Sequence, residues 1–104
     1  MNISVRITQY KNPAHSYLVL IHELVEILLV KLRNIPFKAI DDFDFGFVED
    51  GEPGDDPKAP YHKEHMFATY IEKLVAVELG IDWDEYGKII EGREPKTMNI
   101  QDCE

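Results

Sequence analysis

The chain has 104 residues, 44% of them apolar and 30% charged, with a formal net charge of -9. That length holds one domain with one core, the apolar share belongs to a folded protein, and the negative field disfavours nucleic acid and anionic membrane surfaces as direct partners. The single cysteine, Cys103, finds no second thiol in the chain, which excludes an intramolecular disulfide framework.

The opening residues, MNISVRITQY, lack the basic-then-apolar order of a signal peptide, and His22, Glu23 and Glu26 interrupt the longest apolar run. A cytoplasmic protein is therefore expected. Ile3, Val5 and Ile7 alternate with Ser4, Arg6 and Thr8, which predicts a short strand or arm over residues 1–10 with one buried face. Asn12 can cap a helix and Pro13 suits its first position, so a long helix is predicted over 12–34, stopped by Asn34 and Pro36.

On that helix Leu18, Ile21, Val25, Leu28, Leu29 and Leu32 form an apolar stripe, while Leu20, Leu24, Ile27 and Val30 lie off it. A helix apolar on several sides is either the centre of a small domain or part of a homo-oligomer. Residues 35–59 read as an irregular acidic loop, with one turn of structure around FKAIDDFDF and with Phe43, Phe45 and Phe47 alternating as an extended lid. Its acids, among them Glu49, Asp50, Glu52, Asp55 and Asp56, lack the register of a calcium loop and read as solvated surface.

Pro60 opens a second long helix over 60–80, closed by Gly80, on which Phe67, Ile71, Leu74 and Val75 are expected to pack against the first. A short helix follows over 82–91, with Asp82 as its cap and Glu85 three residues on. The tail, 93–104, carries no packing pattern and is expected to fray. The predicted fold is a mainly α single domain: two long packed helices, a short third helix, a short N-terminal strand and a long acidic loop.

His22 and Glu26 stand one helical turn apart on one face, with Glu23 about a quarter-turn away. The second helix offers His62 and His65 near its start, with Glu64 between them and Glu72 two turns beyond His65. Two imidazoles and one carboxylate are a donor set for Zn, Fe, Mn or Ni that leaves room for water or substrate. The leading metal site is His22, Glu26 and His65, with His62 as a fourth ligand or an alternative third; which of His62, Glu64, His65 or Glu72 completes it stays open. Water on such a metal has a lowered pKa, and Glu23 is placed to take its proton.

The stretch HELVE resembles the H-E-x-x-H helix of zincin metallopeptidases, matching the first ligand at His22 and the general base at Glu23, with Glu26 where the second histidine would stand. That resemblance implies a zinc-dependent hydrolase. HELVE together with EPGDDPKAPYHKEH is also similar to small bacterial and phage proteins, a likeness that implies no activity. The pair Glu23 and Glu26, with Glu64 and Glu72, resembles the Mg-binding helices of MazG-type nucleotide pyrophosphohydrolases, without their E-x-x-D pair. The E-x-x-H repeat of di-iron bundles is absent.

Against the metal reading stands a non-catalytic helical interaction module. His22 and Glu26 buried without partners would cost several kcal/mol. A salt bridge to Lys31 or Arg33, or a carboxylate-to-histidine hydrogen bond between the helices, would compensate them without an ion.

Overall fold

The computed structural model describes residues 6–49, 51–92 and 96–99. In chain order these form strand β1 (Arg6–Gln9), helices α1 (Pro13–Leu32) and α2 (Phe37–Gly46), a 3-10 turn (Pro53–Asp55), helices α3 (His62–Glu78) and α4 (Trp83–Gly92), and strand β2 (Lys96–Asn99). The fold is mainly helical, with the short N-terminal strand at one end.

Local chemistry sets the helix ends. The Asn12 side chain accepts the Ala14 N–H at 3.0 Å and Pro13 occupies the first helical position, so α1 starts with one orphan donor satisfied and another absent. It stops where Asn34 adopts a left-handed conformation at φ 56, which lets the Ile35 N–H reach back to the Val30 carbonyl at 3.0 Å. α3 ends in the same way, with Gly80 at φ 70 and the Ile81 N–H on the Ala76 carbonyl at 2.9 Å. The Asp82 carboxylate accepts the Glu85 N–H at 2.9 Å at the start of α4.

Two expectations about local structure are corrected. Residues 37–46, read as loop with an extended lid, form α2: Ile40 and Phe43 lie one helical step apart and pack against Val30, Ala59 and Tyr61, and the Phe43 and Phe47 rings meet at 6.0 Å. Phe45 points into solvent, 95% exposed. The tail was expected to fray, yet residues 96–99 form β2 and pair antiparallel with β1, Ile7 opposite Met98 and Thr8 opposite Thr97. Ile7 is buried; Ile3 and Val5 of the expected strand, and Cys103, lie outside the described residues.

α1 is long and apolar enough to cross a membrane by length and composition. Here it packs against α3, and the contact pairs run in opposite directions along the two helices: Arg33 meets Glu64, Glu26 meets His65 and His22 meets Glu72. The face α1 turns inward shares Leu18 with the apolar stripe of the sequence but leaves the far end of that stripe outside. Leu28 and Leu32 are 57% and 70% exposed, and on α3 Phe67 and Leu74 are about half exposed, whereas His15, Ser16, Leu18, His22 and Val30 are buried on α1 and Glu64, His65, Ala68, Glu72 and Ala76 on α3. The physical reason is size and pairing: small Ala68 and Ala76 let the helices approach, and the imidazoles and carboxylates between them satisfy one another.

The apolar core is correspondingly divided. One cluster gathers Leu18, Ala76 and Tyr86 with Trp83 and Ile90 from α4; the other gathers Val30, Ala59 and Tyr61 under α2. Between these two ends, the middle of the α1–α3 contact is ionisable.

Candidate metal centre

His22 and Glu26 share one face of α1 because they are four residues apart, and their side chains meet, Nε2 to Oε2 at 2.9 Å. From α3, His65 enters the same gap: its Nδ1 lies 2.9 Å from Glu26 Oε2 and 3.2 Å from His22 Nε2. Both imidazoles are buried and Glu26 is largely so. Three donor atoms thus converge, at separations close to the about 3 Å between neighbouring donors that share one ion through bonds of ~2.0–2.1 Å. These His and Glu groups could hold a metal ion.

The outward edges of both rings are also occupied. His22 Nδ1–H donates to Glu72 Oε1 at 2.9 Å, and Glu72 Oε2 accepts the Tyr86 hydroxyl at 2.5 Å. His65 Nε2 lies 2.9 Å from Asp55 and 3.1 Å from Glu52, delivered by the turn before α3. That turn sits directly on the ring: a Cβ on Gly54 would fall 2.5 Å from His65 Cγ. Carboxylates on the outer nitrogens of two ligand histidines are the outer-shell partners that fix tautomer and ring orientation at metal sites.

A neutral imidazole carries one N–H, and each of these rings faces a carboxylate at both nitrogens. Two arrangements satisfy the cluster. Either both rings are imidazolium, or each keeps its outward N–H and one cation sits among the inward lone pairs. Burial opposes charging His22, but hydrogen bonds to Glu26 and Glu72 outweigh it and raise its pKa from 6.5 to about 9. Burial opposes charging His65 too, and Glu26 and Glu52 raise it to about 10. Burial would lift the Glu26 carboxyl, yet hydrogen bonds from the two histidines hold it down at about 2.

Glu23 lies beside this cluster on a cleft of about 280 Å³ that is also lined by His22, Glu52, Trp83, Tyr86 and Ile90. Burial, and then the neighbouring Glu26 carboxylate, push the Glu23 carboxyl above its ordinary range, the direction that suits a proton acceptor near neutral pH.

The remaining candidates are placed elsewhere. His62 turns away from the donors, its Nδ1 2.9 Å from the Gly54 carbonyl oxygen, so of the two α3 imidazoles it is His65 that joins the group that could hold an ion. Glu64 accepts from Arg33 at 2.6 Å, and Glu72 is committed to His22 and Tyr86, which leaves the carboxylate-only MazG arrangement without its second pair among the described residues. Arg33 therefore serves Glu64 rather than Glu26. The hydrogen bonds between helices that could compensate His22 and Glu26 are present.

Sequence reasoning missed Glu52 and Asp55, which read as solvated acids: both side chains are 61% exposed, yet both reach His65. It also missed Tyr86. The signal for the two acids was slight, a Pro-Gly pair next to Asp55 that allows a tight turn close to the helix start. No family model, curated protein or solved structure matches the chain.

Proposed function

We propose that this chain is a divalent-metal protein that holds its ion with His22, Glu26 and His65 and uses it for hydrolysis, with Zn as the leading metal. The observation that carries the reading is the doubled orientation: two imidazoles, edge-on to each other, each turn one nitrogen toward the same Glu26 carboxylate and are each braced from behind by another carboxylate. Two nitrogens and one oxygen suit Zn, Fe, Mn or Ni better than Mg or Ca, which take oxygen ligands. Such an ion supplies Lewis acidity and acidifies water. Glu23, on the cleft and with a raised carboxyl pKa, is the group that takes the proton.

Titration of the metal-stripped protein with Zn, Mn, Fe or Ni tests this directly. One equivalent should bind, with a matching rise in thermal stability, and His65→Ala should abolish both effects. Absence of binding by all four metals would overturn it. Glu23→Gln should keep the metal and lose hydrolysis, so it separates the catalytic role from the binding role.

A non-catalytic module is favoured by one observation: among the described residues no buried side-chain polar atom lacks a hydrogen-bond partner, even with no ion supplied. In that reading the two histidines are imidazolium rings that pair the helices. His22→Ala would then cost stability and leave metal uptake unchanged, because there would be none.

A further inference from the structure

We propose that the chain forms a twofold dimer in which the uncovered back of the α1–α3 pair packs against the same face of a second copy. This inference is independent of the metal reading, since the face lies on the other side of the helices from the cleft.

The placement follows from helical geometry. Around α1, Val19 and Glu23 line the cleft on one side of the His22–Glu26 line, and Ile21, Leu24 and Leu28 fall on the other. Around α3, Thr69 lines the cleft, and Phe67, Ile71 and Leu74 fall away from it. Because the helices are antiparallel, their residues wind in opposite senses when viewed from one end, so these two trios share the back of the pair. Leu24, Leu28, Phe67 and Leu74 are 43%, 57%, 49% and 50% exposed, and Ile21 and Ile71 are half-buried.

Three arguments select a second copy as the occupant. Spacings of three and four residues in both trios are those of a helix-packing seam, which calls for helices rather than an extended peptide. With Leu32 and Tyr17 at the margin, the exposed part of this face is on the order of 700 Å² per chain, near the ~800 Å² per partner of a standard interface. The monomer also gains from the burial: among the described residues the largest fully buried side chains are Tyr86, Ile7, Leu18 and Val30. The net charge of -9 opposes an anionic lipid surface and a second copy alike, but neither trio contains a charged residue, so that repulsion does not act across the face itself.

Sedimentation velocity on the full chain at micromolar concentration tests the proposal. The expected species has twice the chain mass of 12.1 kDa, with and without metal. Leu28→Glu should weaken dimerisation by at least ~100-fold, whereas Val48→Glu, at a fully exposed position outside the face, should leave it unchanged. A monomer for the unsubstituted chain at ~100 µM would overturn the proposal whether or not Leu28→Glu folds. So would a monomer that floats with neutral phospholipid vesicles, which would assign the face to lipid.

Discussion

His22 and His65 face each other across the α1–α3 contact with Nε2 and Nδ1 3.2 Å apart, and Glu26 touches both. Two ring nitrogens at that distance cannot both present lone pairs to each other unless a cation lies among them; otherwise both must carry a proton, since Glu26 Oε2 lies 2.9 Å from each. Protons and any divalent ion held there would therefore compete for the same gap.

The first concerns pH. His22 and His65 are raised from 6.5 to about 9 and about 10 in the folded chain, so their contribution to stability is fully present below the unfolded pKa near 6.5 and is lost as pH rises through 9 to 10. Glu26 is lowered from 4.5 to about 2, so its contribution is present above pH 4.5 and lost as pH falls towards 2. Metal-free protein should accordingly melt highest between about pH 4.5 and 6.5 and progressively lower up to pH 10. With saturating Zn the alkaline decline should vanish, because the ion replaces the departing protons. Thermal melts across this range, with a chelator and with Zn, provide the check; parallel curves would contradict it.

Glu72→Gln keeps an acceptor for the His22 Nδ1–H but removes the negative charge behind the ring. Metal affinity should fall ~10–100-fold, the usual cost of altering a histidine's outer partner. Competition with a chromophoric chelator measures the change, and circular dichroism verifies that the helices persist. An unchanged affinity would show that Glu72 serves packing only.

Gly54→Ala tests the turn that rests on His65. The added methyl would stand 2.5 Å from His65 Cγ and 2.6 Å from Nδ1, so the ring or the turn must shift. Gly46→Ala, where nothing lies within 4 Å of the new carbon, is the matched control. Metal affinity should drop in the first variant and hold in the second.

Arg33 and Glu64 form an ion pair at 2.6 Å in which Glu64 is buried and Arg33 is half exposed. Arg33→Ala strands the carboxylate and should destabilise the fold by about 1–3 kcal/mol. The double variant Arg33→Ala with Glu64→Gln should recover part of that loss, since the buried group is then neutral. Urea denaturation of the three proteins reads the difference, and equal stabilities would remove the pair from the account.

The part of the site legible in the sequence was the part written in helical spacing. His22 and Glu26 are joined by one turn of one helix, and His65 lies on the only other long helical pattern, so their convergence needed no more than two helices packing. Asn12, Pro13 and Gly80 marked helix ends through backbone chemistry that acts locally. What failed required knowledge of the third dimension. Phe67 and Leu74 were expected against α1 and stand about half exposed, because hydrophobicity cannot tell an internal contact from one awaiting another surface. Glu52 and Asp55 arrive by a loop with no periodicity, and Tyr86 reaches Glu72 from α4, so no spacing rule links them to His22. Residues 37–46 carried two overlapping patterns, alternation of Phe43, Phe45 and Phe47 and a helical step from Ile40 to Phe43; burial against Val30 and Tyr61 decided for the second.

The division of the core has a consequence for how the chain finds its alignment. Two greasy helices can slide past one another by a turn with little change in what each buries, because leucine beside alanine is nearly as good as leucine beside valine. Here a one-turn slip would leave His22 opposite apolar side chains and strand Glu72 without its imidazole, a penalty of several kcal/mol that neither apolar end could recover. The ionisable middle thus serves as a registration mark, and the hairpin can close in one alignment only.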